Sequence, residues 1–251
     1  MSSSVVRRRG SIDVVDAKVA VDLATAQSYK ENVFLFVPNL IGYCRIILAG
    51  LALHFMSYHP KYCTIAYCVS CLLDAADGHA ARALGQTSKF GAVLDMVTDR
   101  CTTSALLCYL SAAYPNWTMA FQLLITLDFA SHYMHMYSHK SVRSEVSRIV
   151  SFYYQPTVLF IVCAGNELFY VALYLMKWVR APLWQSLGLE PSYVTSFTWA
   201  EALAVPCGVI CFYKNVINFV QLWKAAKILV GVDLAERAKA REEEESREKK
   251  N

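Results

Sequence analysis

Four aspartates interrupt a run of apolar sequence that would otherwise read as membrane-spanning helix. The stretch from Asp74 to Asp99 reads DAADGHAARALGQTSKFGAVLDMVTD, and apolar blocks flank it on both sides. A carboxylate is costly in a segment surrounded by hydrocarbon, so four of them require a shared inward-facing place and counter-charge. Spacing supplies the shared place. Asp74 and Asp77 are three residues apart, and Gly78, Ala81 and Arg82 continue the same helical face at offsets of four, seven and eight. Asp95 and Asp99 are four apart and share a face of the next helix. A polar turn at Gly85, Gln86, Thr87 and Ser88 lets the two helices run antiparallel, which aims all four carboxylates at one spot.

The counter-charge is harder to find. Arg82 and Lys89 are the nearby bases, and they are too few for a purely structural set of ion pairs. Divalent metal is the better answer, because oxygen-only ligands select hard cations such as Mg²⁺ or Mn²⁺. Two pairs of aspartates suit two ions, an arrangement that clamps the attacking and leaving oxygens in phosphoryl chemistry.

Composition agrees with a membrane protein. The 251 residues are 56% hydrophobic, and the mean hydropathy is +0.32. The net charge of +4 is dispersed through tails and short loops, unlike the basic stripe of a nucleic-acid binder. Nine cysteines fall mostly inside apolar blocks at irregular spacing, so they read as small buried hydrophobes.

Along the chain, residues 1–30 are expected to form a cytosolic tail or a juxtamembrane amphipathic helix. Ile12, Val15, Val19 and Leu23 carry its apolar spacing, and Arg7 to Arg9 lead into no apolar core of a secretory signal. Six spans follow, roughly Phe34–Ser57, Tyr62–Ala83, Phe90–Ala113, Trp117–Ser138, Tyr153–Trp178 and Phe197–Trp223. Asn39 and Arg45 interrupt the first, six apart, with one expected toward the site and the other toward the interface. His59–Lys61 and Tyr114–Asn116 read as turns. Asp128, His132, His135 and His139 form a stripe on the fourth span. Asn166 and Glu167 fall mid-way along the fifth. The sixth carries Glu201, Lys214, Asn215 and Asn218, and Pro206 is expected to kink it. The domain division is therefore a tail over 1–30, a six-helix domain over 31–228 and a charged cytosolic tail over 229–251. Six spans put both termini on one side, and the excess of Lys and Arg there makes that side, with the aspartates, cytosolic.

The string D-x-x-D-G-x-x-A-R, eight residues, G, three residues, D, three residues, D matches the signature of the CDP-alcohol phosphatidyltransferases without a departure. The chain is identified by resemblance as a member of that family. ENVFLFVPNLIGYCRI (31–46), LLDAADGHAARALGQTSKFGAVLDMVTDRC (72–101), DFASHYMHMYS (128–138) and CAGNELFY (163–170) resemble its eukaryotic inositol-transferring branch, and the similarity covers roughly residues 30 to 240. The fold this implies is an all-α, six-transmembrane-helix bundle, often a homodimer, in a lipid bilayer expected to be that of the endoplasmic reticulum. The reaction implied joins CDP-diacylglycerol to myo-inositol and releases CMP, with Mg²⁺ or Mn²⁺ (two ions) as cofactor.

The resemblance also implies roles. Asp74, Asp77, Asp95 and Asp99 hold the metals, and Asp99 matches the position of the family's base. Gly78, Ala81, Arg82, Ser88, Gly91 and Asn39 are the expected CDP-diacylglycerol contacts. From the stripe itself, read as a wall of the acceptor cavity ahead of a histidine metal site, Asp128 and His132 are expected at the acceptor, with Lys140 just beyond. One departure stands out: SVRSEVSRIVSFYY at 141–154 lacks the Asn-Pro run that the family carries before its paired tyrosines. Two other readings are the same transfer to glycerol phosphate, serine or choline, and a non-enzymatic membrane protein that binds a cation.

Overall fold

The computed structural model describes residues 6–9, 12–15, 32–141, 153–182 and 198–248, with side chains from 32–138, 153–182 and 198–248. Among the described residues there are six α-helices: α1 (Val37–Phe55), α2 (Pro60–Ala83), α3 (Lys89–Ala113), α4 (Thr118–Ser141), α5 (Pro156–Leu175) and α6 (Trp199–Glu248). Short 3₁₀ turns at Val33–Leu35 and Pro115–Trp117 precede α1 and α4. Helices α1, α5 and α6 are long and apolar enough to cross a membrane, which marks the chain as an integral membrane protein. The 24, 25 and 24 residues of α2, α3 and α4 match that length but carry more polar sequence.

The N-terminal expectation needs correction. Val6–Arg9 and Ile12–Val15 form two antiparallel strands, β1 and β2, with Val6 opposite Val15 and Arg9 opposite Ile12. β-Branched residues occupy half of these positions, and their stiff χ1 favours extended backbone over the helix that the spacing of Ile12 and Val15 suggested. The rest of that stretch, including Val19 and Leu23, lies outside the described residues.

Other boundaries follow local chemistry. Helix α1 opens with Pro38 in its first turn, where a missing N–H leaves no bond unmade. Helix α2 begins directly at Pro60, so the turn expected at His59–Lys61 falls earlier, over residues 56–59. It ends in a Schellman motif. Gly85 takes φ +64°, Gln86 N–H donates to the Ala81 carbonyl at 2.9 Å, and Gly85 N–H reaches back to Arg82. Helix α6 opens with a capping box, in which Thr198 Oγ1 accepts from Glu201 N–H and Glu201 Oε2 accepts from Thr198 N–H. It then runs unbroken through Pro206 for 50 residues, across the boundary expected near 228.

The chain forms two compact units, divided after Leu48, Tyr67 and Thr98. In the first, composed of residues up to 48 and 68–98, Phe34 packs edge-to-face on Phe90 with centroids 5.1 Å apart. Val37 N–H donates to Gln86 Oε1 at 2.9 Å, tying the start of α1 to the turn after α2.

In the second unit, α6 packs against α4 and α5. Tyr174 donates to the Met56 carbonyl and Tyr114 to the Leu173 carbonyl, each at 2.8 Å. Helix α6 inverts the polarity of a water-soluble helix. Lys214, Asn218 and Gln221 are buried, whereas Val205, Val209, Phe212, Phe219 and Trp223 are exposed. Such an inverted face suits a hydrocarbon solvent, where polar groups find partners only inside the protein.

Helices α5 and α6 approach closely at Gly165, where an added Cβ would meet Ile210 Cγ2 at 2.7 Å. Gly165→Ala is expected to lower stability by about 1–3 kcal/mol. Gly50→Ala, whose Cβ meets nothing within 4 Å, is the neutral control. Melting temperatures of the two variants in detergent check this.

Candidate active site

The first unit holds three of the four aspartates around one base. Arg45, on α1, is buried at 2% exposure. Its Nη1 donates to Asp77 Oδ2 at 2.7 Å and to Asp95 Oδ1 at 2.6 Å, and its Nη2 pairs with Asp74. One guanidinium thus gathers carboxylates from α2 and α3. The Ser70 hydroxyl donates to the Arg45 carbonyl at 3.3 Å, fixing α1 against α2 beside the cluster.

The expectation for α1 is corrected here. Asn39 and Arg45 are both buried, and neither faces an interface. Six residues separate them, so they leave α1 in different directions, yet Asn39 and Arg45 are 1% and 2% exposed while Leu40, Ile46 and Ile47 carry the exposed face of the helix. The counter-charge count in the sequence also omitted Arg45, because it lies 29 residues before Asp74. The available signal was a lone arginine in the middle of an apolar span.

Beside the carboxylates lies a cavity of about 210 Å³. Asn39, Gly78, Ala81, Arg82, Ser88 and Gly91, the six residues expected at the nucleotide-lipid site, all line it, together with Asp77 and Asp95. Two of them are fixed by backbone contacts. Asn39 Nδ2 donates to the Val33 carbonyl, and Ser88 Oγ accepts from Gly91 N–H at 2.9 Å at the start of α3. Gly91 is a position where only hydrogen fits. An added Cβ would stand 2.6 Å from Asn39 Oδ1 and 3.0 Å from Ser88 Oγ. At Gly78 the nearest neighbour is the Arg82 guanidinium at 3.6 Å, so a methyl group would project into the cavity without a clash.

The donor set fits a divalent cation. Asp74 and Asp95 offer carboxylate oxygens within 4.8 Å of one another, and both side chains are substantially exposed, so an incoming ion can reach them. Three carboxylates against Arg45 leave two negative charges, and Arg82 at the cavity wall offsets one more. Hard oxygen donors with a residual negative charge select Mg²⁺ or Mn²⁺ over softer metals.

Asp99 belongs to the second unit, one turn beyond Asp95 on α3. There Arg100 Nη2 donates to Asp99 Oδ2 at 3.3 Å, and Arg100 Nη1 forks onto both oxygens of Asp128 at 2.8 and 2.9 Å. Asp128 also accepts from Asn218 Nδ2 at 3.2 Å, and its carbonyl lies 2.8 Å from His132 Nδ1. Two of the residues expected at the acceptor cavity, Asp128 and His132, therefore join one network. Lys140 is in the last turn of α4, and its side chain and residues 142–152 lie outside the described residues. Arg100 was not anticipated, although a charged residue beside Asp99 in an apolar run signalled it.

Two substitutions separate space from support. Gly91→Ala is expected to displace Asn39 and lower the melting temperature together with activity. Gly78→Ala is expected to keep the melting temperature, since its methyl group meets nothing closer than the Arg82 guanidinium at 3.6 Å. Thermal unfolding of the two variants checks both.

Comparison with known proteins gives the family. Residues 35–205 match the model of the CDP-alcohol phosphatidyltransferase family. The chain is 51% identical over 225 residues to the CDP-diacylglycerol–inositol 3-phosphatidyltransferase of Schizosaccharomyces pombe, an alignment covering 84% of this chain and 95% of that one. It is 43% identical over 218 residues to the human protein of the same name (83% and 98% covered) and 44% identical over 212 residues to that of Saccharomyces cerevisiae (81% and 90%). No solved structure matches. With its signature intact from Asp74 to Asp99 and two thirds of its length inside the family model, the chain belongs to the CDP-alcohol phosphatidyltransferases.

Proposed function

We propose that this enzyme transfers the phosphatidyl group of CDP-diacylglycerol to myo-inositol, forming phosphatidylinositol and CMP in phospholipid biosynthesis. The observation that carries the reading is the cavity on the first unit, where Arg82 and two of the aspartates stand over a floor opened by Gly78 and Gly91. The extended identity to inositol-transferring relatives supports the choice of acceptor.

The roles follow from charge. Arg82 offers a planar fork to a phosphate of the donor. Gly78 leaves room for the donor to approach the helix backbone, with Ala81, Ser88, Gly91 and Asn39 bordering the nucleotide. Asp74, Asp77, Asp95 and Asp99 would hold two divalent ions, which when bound supply positive charge to the phosphoryl oxygens. The acceptor hydroxyl oxygen bonds to the phosphorus that carries diacylglycerol, the bond from that phosphorus to the CMP oxygen breaks, and Asp99 takes the hydroxyl proton. Arg45 holds Asp77 and Asp95 in register, so that little reorganisation is needed as charge develops. Asp128, His132 and Lys140 border the acceptor.

The same reading places six spans in the endoplasmic reticulum membrane, as a homodimer with both termini and the aspartates on the cytosolic side. The soluble alcohol arrives there from water, and the lipid donor arrives laterally.

CMP release by purified protein tests the reading, with CDP-diacylglycerol and Mn²⁺ or Mg²⁺ and with myo-inositol, glycerol phosphate, serine and choline supplied separately. Release with inositol is expected. Release only with another alcohol would discard the acceptor and keep the chemistry, and silence with every acceptor in folded protein would favour a cation-binding role. Asp99→Asn is expected to cut turnover by about 10²–10⁴-fold, the usual contribution of a positioned base. Chelation by EDTA is expected to abolish release, and restored Mn²⁺ or Mg²⁺ to recover it.

A further inference from the structure

A second polar cluster is buried in the second unit, and its composition bears on which alcohol it suits. It has two joined parts. Around Asp128 stand Arg100, His132 and Asn218, with the contacts given above. One turn further along α3, Thr103 donates to Glu167 Oε1 at 3.1 Å. The Tyr67 hydroxyl donates to Glu167 Oε2 at 2.7 Å, and Asn166 Nδ2 lies 3.3 Å from Glu167 Oε1. Lys214 is 3% exposed and precedes Asn218 by one turn on the same face of α6.

Two features of this seam point to a ligand. The first is unspent hydrogen-bonding capacity. Asn166 and Asn218 are 2% and 1% exposed, yet the Oδ1 atom of each has no hydrogen-bond partner among the described residues, nor has Arg100 Nε. A buried polar atom without a partner costs on the order of 1–3 kcal/mol, so two acceptors and a donor left open in one seam call for a guest that completes them. The second feature is charge. Arg100 and Lys214 face the carboxylates of Asp128 and Glu167 and that of Asp99, which shares Arg100. An anionic guest needs a surplus of positive charge, and this seam has none. A seam of mixed donors and acceptors without that surplus fits an uncharged polyol, each of whose hydroxyls donates once and accepts twice.

We propose that this seam is the acceptor subsite and selects a neutral polyol, with Asn218, Asn166 and Glu167 as specificity-determining residues on α5 and α6. The proposal rests on the inositol-transferring reading above and extends it beyond Asp128 and His132. Arg100 connects the seam to Asp99, so a hydroxyl held there lies on the network that reaches the proton acceptor.

The test uses the full chain in nanodiscs with CDP-diacylglycerol and Mn²⁺, measuring kcat and KM for myo-inositol and for glycerol 3-phosphate. Asn218→Ala is expected to raise the inositol KM by about tenfold, the loss of roughly one buried hydrogen bond, and to leave the KM for CDP-diacylglycerol unchanged. Glu167→Gln keeps the shape and removes one negative charge from the seam. It is expected to lower the preference for inositol over glycerol 3-phosphate, as a ratio of kcat/KM values, by about tenfold. Should either variant fail to fold by size-exclusion and melting, Asn166→Ala takes its place, with the same rise in inositol KM expected. Folded variants that keep the wild-type inositol KM and acceptor preference would overturn the seam as a subsite while the inositol reading stands. A wild-type protein that prefers glycerol 3-phosphate would overturn the inositol reading itself, and the neutral-polyol assignment with it.

Discussion

An ionised group in a low-dielectric surrounding either finds its opposite or is not kept there, and that rule organises the first unit. Arg45 is fully desolvated and answers it by drawing in three carboxylates from two other helices. Removing one partner of such a cluster leaves uncompensated charge, which costs several kcal/mol. The geometry of the aspartates is therefore not a property of α2 and α3 alone. It depends on a residue from a helix that carries none of the signature. The same contact gives the site its two-sided character. The inner carboxylate, Asp77, is buried against Arg45, whereas Asp74 and Asp95 keep oxygens open toward an incoming cation.

The second unit meets the rule differently. Arg100 is answered by Asp99 and Asp128, and hydrogen bonds from Thr103, Tyr67 and Asn218 to Glu167 and Asp128 draw five helices into one network. The exposed face of α6 is the complement: large apolar side chains point away from the polar interior. A water-soluble protein built this way would aggregate, so the arrangement itself argues for the bilayer as solvent.

What the sequence disclosed and what it withheld divide along the range of the interactions. The helices around Asp74–Asp99 were legible because their spacing and the turn at Gly85 are both local. That Asn39, Gly78, Ala81, Arg82, Ser88 and Gly91 share one cavity was legible as well, since they lie within about fifty positions and on two consecutive helix faces plus the start of α1. Arg45 and Arg100 were not legible as partners. Their roles come from contacts spanning 28 to 50 residues, and no periodicity encodes which buried base meets which carboxylate. The N-terminal strands failed for the opposite reason. There a weak 3.6-residue pattern was outweighed by the extended preference of valine and isoleucine, a short-range effect that hydrophobic spacing ignores. The end of α6 shows a third case, in which composition shifted to charge near residue 224 while the backbone stayed helical, because glutamate, lysine, arginine and alanine all favour helix.

That continuity gives α6 a mechanical character. Its 50 residues measure about 75 Å at the usual rise, against the roughly 30 Å that a bilayer's hydrocarbon requires. The surplus is a stiff mast of charged helix, with Asn218 and Lys214 anchored in the buried portion at its other end. A fluorophore or fusion attached past Glu248 would ride on that mast, tens of ångströms from the anchored residues, and its orientation would report any rotation of α6 about its own axis.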